Sequence, residues 1–128
     1  MKIEHVALNV PDARAMAAWY IQHLGLEVVR QGGPPVWGHF MADAGGQAIV
    51  EIYTNTKAVI PDYFAVDSLN FHLAFVSEDV PADRARIIAA GATPVGEIEH
   101  LASGDEVATL RDPWGVPIQF ARRKTPML

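Results

Sequence analysis

The chain has 128 residues, half of them hydrophobic and a fifth charged, which suits one globular domain able to bury its own core. Ten Lys and Arg stand against fifteen Asp and Glu, a formal balance of −5, the opposite of a nucleic-acid binder's basic footprint. Cysteine is absent, which excludes disulfides, thiolate zinc sites, iron–sulfur clusters and a Cys nucleophile; any metal must be held by His, carboxylate, amide or water. The longest purely apolar run, Ala15–Ile21, is far too short to span a bilayer. Met1-Lys2-Ile3-Glu4-His5 carries charges where a signal peptide needs an apolar stretch, so a cytoplasmic protein is expected.

Ile3–Val10 reads as a strand, apolar apart from Glu4, His5 and Asn9, and ends at Pro11-Asp12. A helix follows. Asp12 suits its N-cap, Ala13, Met16, Ala17, Tyr20 and Leu24 form one buried stripe, and Gly25 ends it. Three strands are expected next, at Leu26–Arg30, Val36–Ala42 and Gln47–Thr54, separated by Gly32-Gly33-Pro34-Pro35 and Asp43-Ala44-Gly45-Gly46. Asn55 to Asp67 is a connector. Its apolar part, Ile60-Pro61-Asp62-Tyr63-Phe64, suggests a lid or a dimer contact.

The order then starts again. Leu69–Val76 reads as a strand with His72 and Asn70 on one face and Leu69, Phe71, Leu73 and Phe75 on the other. A helix of roughly Pro81 to Ala90, with Ala85, Ile88 and Ala89 as its apolar face, stops at Gly91. Strands are expected at Thr93–Ile98, Glu106–Arg111 and Val116–Ala121, the last two joined by a type I turn at Asp112-Pro113-Trp114-Gly115. Arg122-Arg123-Lys124 reads as a solvated basic end, and His23 as a surface residue.

Two copies of one unit are therefore expected, at about 1–60 and 68–124. His5-Val6-Ala7-Leu8 aligns with His72-Leu73-Ala74-Phe75 at an offset of 67, and Glu51 with Gln119 at an offset of 68. First and last strands of each unit thus carry one ligand-type residue each. A His on a strand is commonly a hydrogen-bonded residue, and a Glu there commonly faces water. The equivalence across repeats points instead to a shared cation, because a carboxylate between Val50 and Ile52 is costly to bury unpaired. Strand parity groups Tyr53 with Glu51 and Asn9 with His5.

The chain resembles the vicinal oxygen chelate superfamily of glyoxalase I, methylmalonyl-CoA epimerase, extradiol dioxygenases and the fosfomycin- and bleomycin-resistance proteins. The resemblance covers almost the whole chain. It rests on Ile3–Val10, on Trp19-Tyr20 with Leu24-Gly25-Leu26, on Asn70–Phe75, and on Asp112-Pro113-Trp114-Gly115-Val116-Pro117-Ile118-Gln119. It implies a single α+β glyoxalase-like domain over 1–128, with two tandem βαβββ modules curling a mixed sheet around a cleft and helices outside. It places His5, Glu51, His72 and Gln119 at the family's metal positions and implies a homodimer whose site can be shared between chains.

Gln119 departs from the usual Glu: its amide oxygen can bind a metal, but it cannot serve as a base. Glu51 is then the catalytic carboxylate of this set. Two imidazoles, a carboxylate and an amide suit a divalent transition metal (Zn, Ni, Co, Mn or Fe) with positions open to substrate. The expected function is a glyoxalase-like isomerase, epimerase or lyase acting on a small carbonyl or hydroxyacid-type molecule. Asn9, Trp37, Tyr53 and Trp114 are the substrate-contact candidates; His39 is read mainly as an ordinary half-buried strand residue, and His100 as a loop residue. The alternatives are a metal-free bleomycin-resistance-type protein that sequesters a drug-like molecule, and a member that only dimerises. Neither nucleic acid nor membrane is an expected partner.

Overall fold

A computed structural model describes residues 1–46 and 49–127. The chain divides into two compact units, Met1–Pro61 and Asp62–Leu128. Each runs strand, helix, three strands, and each makes a four-stranded mixed sheet. The α+β class and the two βαβββ modules read from the sequence are what the chain forms, with one hydrogen-bonded sheet per module.

The first unit holds β1 (Val6–Asn9), α1 (Ala13–Leu24), β2 (Glu27–Gln31), β3 (His39–Ala42) and β4 (Ile49–Tyr53) in sheet order β1-β4-β3-β2. Asp12 caps α1 by accepting a hydrogen bond from the Ala15 N–H, and Gly25 ends it in the left-handed region at φ 70°. Ala13, Met16, Ala17 and Tyr20 are buried; Leu24 is half-buried. Leu8, Val10, Met41 and Ile52 supply the sheet's share of this core.

The second unit opens on a 3₁₀ turn, Tyr63–Ala65. It continues through β5 (Leu73–Val76), α2 (Val80–Ala89), β6 (Thr93–His100), β7 (Glu106–Arg111) and β8 (Pro117–Arg122), in order β5-β8-β7-β6. Val80, Ile87, Ala108, Leu110, Ile118 and Phe120 build its core. In both units the first strand runs parallel to the last, which lies beside it.

The structure corrects several expected boundaries. β1 and β5 are four residues each and start just after His5 and His72. Beside β5 the residue that would face His72 is Pro117, which has no N–H for the ladder. Leu69–Phe71 is turn rather than strand, because Asp67 accepts from the N–H groups of Leu69, Asn70 and Phe71; Leu69 is consequently exposed. β3 begins at His39, not Val36, since Trp37 has φ 51° and its N–H turns back to Gly33. Gln47 and Ala48, expected to open β4, lie outside the described residues. α2 buries Val80 and Ile87 and leaves Ala85 and Ala89 exposed, since capping by Asp79 starts the helix at Val80 and sets its inward stripe.

The connector at Tyr63–Val66 is pinned, not a free lid. The Arg111 guanidinium donates to the carbonyls of Tyr63 (2.8 Å), Val66 (2.7 Å) and Gly115 (3.1 Å).

Candidate functional site

In the first unit, parallel pairing sets Ala7 against Glu51, and antiparallel pairing sets Phe40 against Glu51 on the other side. Cross-strand partners share a face, so His5, Ala7, Glu51 and Phe40 form one row, opposite the Leu8–Ile52 core face. His5 stands edge-on to the Phe40 ring at 5.4 Å. Its Nε2 is 3.5 Å from Glu51 Oε2, and its Nδ1 bonds the Glu4 carboxylate. The imidazole thus stands between two carboxylates, Nδ1 toward Glu4 and Nε2 toward Glu51. Phe40 in turn has the Arg30 guanidinium over its ring at 6.0 Å.

The second unit repeats the arrangement. Ala74 pairs with Gln119 and Thr109 pairs with Gln119 from the other strand. The Gln119 Nε2 donates to Thr109 Oγ1 at 3.3 Å, which leaves the carbonyl Oε1 as the group it can offer. His72 Nδ1 donates to the Ser68 carbonyl at 2.8 Å, so Nε2 keeps its lone pair. His72 and Gln119 line one cavity of about 230 Å³, together with Leu69, Val95, Val107, Thr109, Glu99 and Arg123.

Among the described residues, no three of His, Asp and Glu gather as a cluster able to hold a metal ion. Each unit instead offers a pair. The pairs fit metal ligation in donor type. Donors bonded at about 2.0–2.2 Å to one ion stand roughly 3–3.5 Å apart, close to the His5–Glu51 separation of 3.5 Å. Anchoring an imidazole through Nδ1 to an oxygen is also how ligating histidines are commonly oriented.

The substrate-contact candidates have mixed surroundings. Asn9 is 8% exposed, and its amide is engaged with one backbone residue. Nδ2 donates to the Asn55 carbonyl at 3.0 Å and Oδ1 accepts from the Asn55 N–H at 2.8 Å. Trp37 is half-buried, with the Arg14 guanidinium stacked 4.7 Å over its ring. Tyr53 lies on Glu51's side of β4, and Trp114 sits in the Asp112–Gly115 turn, where Asp112 Oδ1 accepts from its N–H at 2.9 Å. His39 is buried on the core face beside Ile52, and its Nδ1 has no hydrogen-bond partner. His23 is half-buried against Trp19, with ring centroids 5.1 Å apart. His100 ends β6 and faces Glu106 at 3.4 Å.

Sequence reasoning missed Glu99 and Arg123. Glu99 lies beyond the expected end of β6, and Arg123 reads as part of a solvated tail. Arg123 is half-buried: its guanidinium donates to Asp105 at 3.0 Å while lining the cavity. Asp105 also accepts from the Lys124 N–H at 2.9 Å, and these bonds hold its carboxyl below the usual range.

A family model described as a glyoxalase-like domain matches residues 5–121. No curated protein matches the chain. Among solved structures it is similar to a glyoxalase family protein from Bacillus cereus, at 18% identity over 95% of this chain and 93% of that one, with a TM-score of 0.81. It is similar to TnmS3, an antibiotic binding protein from Streptomyces sp. CB03234, at 20% identity over 97% and 99%, with a TM-score of 0.71. It is also similar to the fosfomycin resistance protein FosX from Listeria monocytogenes, at 18% identity over 100% and 95%, with a TM-score of 0.71. At such identities the likeness establishes the shared fold.

Proposed function

The chain belongs to the glyoxalase-like domain family, and on that premise we propose that it is a metal-dependent enzyme acting on a small oxygen-rich molecule. The substrate would be of carbonyl or hydroxyacid type, and the reaction a proton transfer of the isomerase, epimerase or lyase kind. His5, Glu51, His72 and Gln119 hold the cation, drawn from one chain or from two chains of a homodimer.

One observation carries this reading. Both imidazoles are tied through Nδ1 to an oxygen, at Glu4 and at Ser68, which turns Nε2 of each toward other partners; His5 Nε2 stands 3.5 Å from Glu51, and His72 lines one cavity with Gln119. A divalent transition ion bound there supplies Lewis-acid stabilisation of negative charge on substrate oxygen. Glu51 is a carboxylate of this set able to shuttle a proton. Gln119 contributes its carbonyl oxygen and orients through Thr109. The size of the second unit's cavity supports a small substrate: about 230 Å³ falls below the roughly 300–1,000 Å³ of pockets for drug-sized ligands.

Elemental analysis of the purified protein tests this. Stoichiometric transition metal is expected, absent from His5→Ala and from His72→Ala. Protein that is metal-free and resists reloading overturns the proposal and favours the metal-free binding role. Glu51→Gln is expected to lose turnover; full turnover in that variant removes Glu51 from proton transfer.

A further inference from the structure

We infer that Glu99 is a second acid–base group of this protein, acting on the substrate from the wall of the second unit's cavity. The inference rests on the proton-transfer reading above and adds a residue to it.

Gln119 is the neutral amide of the cavity and cannot take a proton. Of the ten residues that line this cavity, Glu99 is the one carboxylate. His72 bonds the Ser68 carbonyl through Nδ1, and its Nε2 is the ring atom that would face a cation. With Nε2 committed to the cation, Glu99 remains.

A distortion of β6 brings it there. Val95 pairs with Thr109, but Glu99, not Glu97, pairs with Val107, so β6 spends two extra residues between them. Gly96 makes this possible at φ 70°. The extruded stretch is held by α2: Arg84 donates to the Gly96 carbonyl at 3.1 Å and its guanidinium stands 3.7 Å from Glu97. Glu97 is thereby paired away from the cavity, and Glu99 takes the place opposite Val107, in the row next to Thr109 and Gln119. Bulges of this kind re-aim side chains beside active sites. Glu99 is solvent-exposed at the rim, which lets its proton exchange with water.

In the step assigned to it, a Glu99 oxygen takes the proton from the carbon bearing the substrate's hydroxyl. The C–H electron pair stays on the substrate as the enediol anion, and the carboxylic acid so formed returns a proton to the same carbon, while proton transfer at the neighbouring carbon is left to Glu51.

The probe is hydroxyacetone in D₂O with metal-loaded protein, following loss of the CH₂ signal by proton NMR. The parent protein is expected to catalyse deuterium incorporation, and Glu99→Gln to slow it by at least about 100-fold. Mn²⁺ affinity is measured beside it and should change less than twofold in Glu99→Gln. Glu97→Gln should exchange like the parent, and Glu99→Asp should lie between. Exchange in Glu99→Gln within threefold of the parent overturns Glu99's role and leaves the metal reading intact. A more than tenfold loss of Mn²⁺ affinity in Glu99→Gln overturns it too, by making Glu99 a ligand. A parent protein that loads metal and exchanges no deuterium removes the proton-transfer reading and Glu99 with it.

Discussion

Asn9 and Gly115 show how one residue can be committed to structure at a place where function is expected. Strand parity groups Asn9 with His5, and the parity is right, yet its amide closes a two-bond clamp on Asn55. Asn9→Ala removes both hydrogen bonds and should therefore cost about 2 kcal/mol, at roughly 1 kcal/mol net for each. Urea unfolding measures this; an unchanged midpoint would restore Asn9 as a candidate substrate contact. Gly115 has φ 86°, and a Cβ there would stand 2.6 Å from the Phe64 ring and 2.7 Å from its backbone nitrogen. Backbone cannot swing aside as a side chain can. Gly115→Ala should lose roughly 3 kcal/mol from strain and overpacking together, read as a fall in Tm. His5, Glu51, His72 and Gln119 stand out in the sequence as proposed ligands because a repeat doubles the signal: each position is weak alone and has a counterpart 67 or 68 residues away.

The helices and strands were legible where local chemistry decides them. Asp12 and Gly25 bracket α1 as their residue types require, and β7 spans Glu106–Arg111 as expected. Expectation and structure part where a side chain bonds its neighbours' backbone, as Asp67 does, or where a bulge lengthens one strand against the next, as around Gly96. Side-chain pairing also ties α2 to pH. Burial pushes the Asp83 carboxyl up, but hydrogen bonds from Ser77 (2.6 Å) and Arg86 (2.8 Å), with the Arg86 charge, bring it below its ordinary value. A carboxyl lowered on folding stabilises the fold above the unfolded value of about 3.9, and that stability is lost as pH falls through the folded value. Asp105 behaves alike through Lys124 and Arg123. Asp83→Asn should thus be less stable than the parent at pH 7, with the gap closing below about pH 4. Equilibrium unfolding across neutral to acid pH checks it; a gap constant over that range contradicts the assignment.

Two units of the same order place their His–carboxylate and His–amide pairs by the same device, a parallel contact between first and last strands. If one cation needs both pairs, metal content should be one ion per chain, and either His5→Ala or His72→Ala should abolish it. Two ions per chain, each lost with only one of these substitutions, would mean that the pairs bind independently. Residue order alone established the α+β class, the doubled βαβββ unit and the family likeness, because periodicity, caps and repeat offsets can be read along the chain itself. Tertiary contacts decided the rest. Which imidazole nitrogen meets which partner depends on Glu4 and Ser68 lying within reach. Whether the connector moves depends on Arg111, 45 residues beyond Val66 in the chain. Whether a carboxylate reaches the cavity depends on how many residues β6 spends against β7, and hydrogen-bond register is set only when the two strands meet.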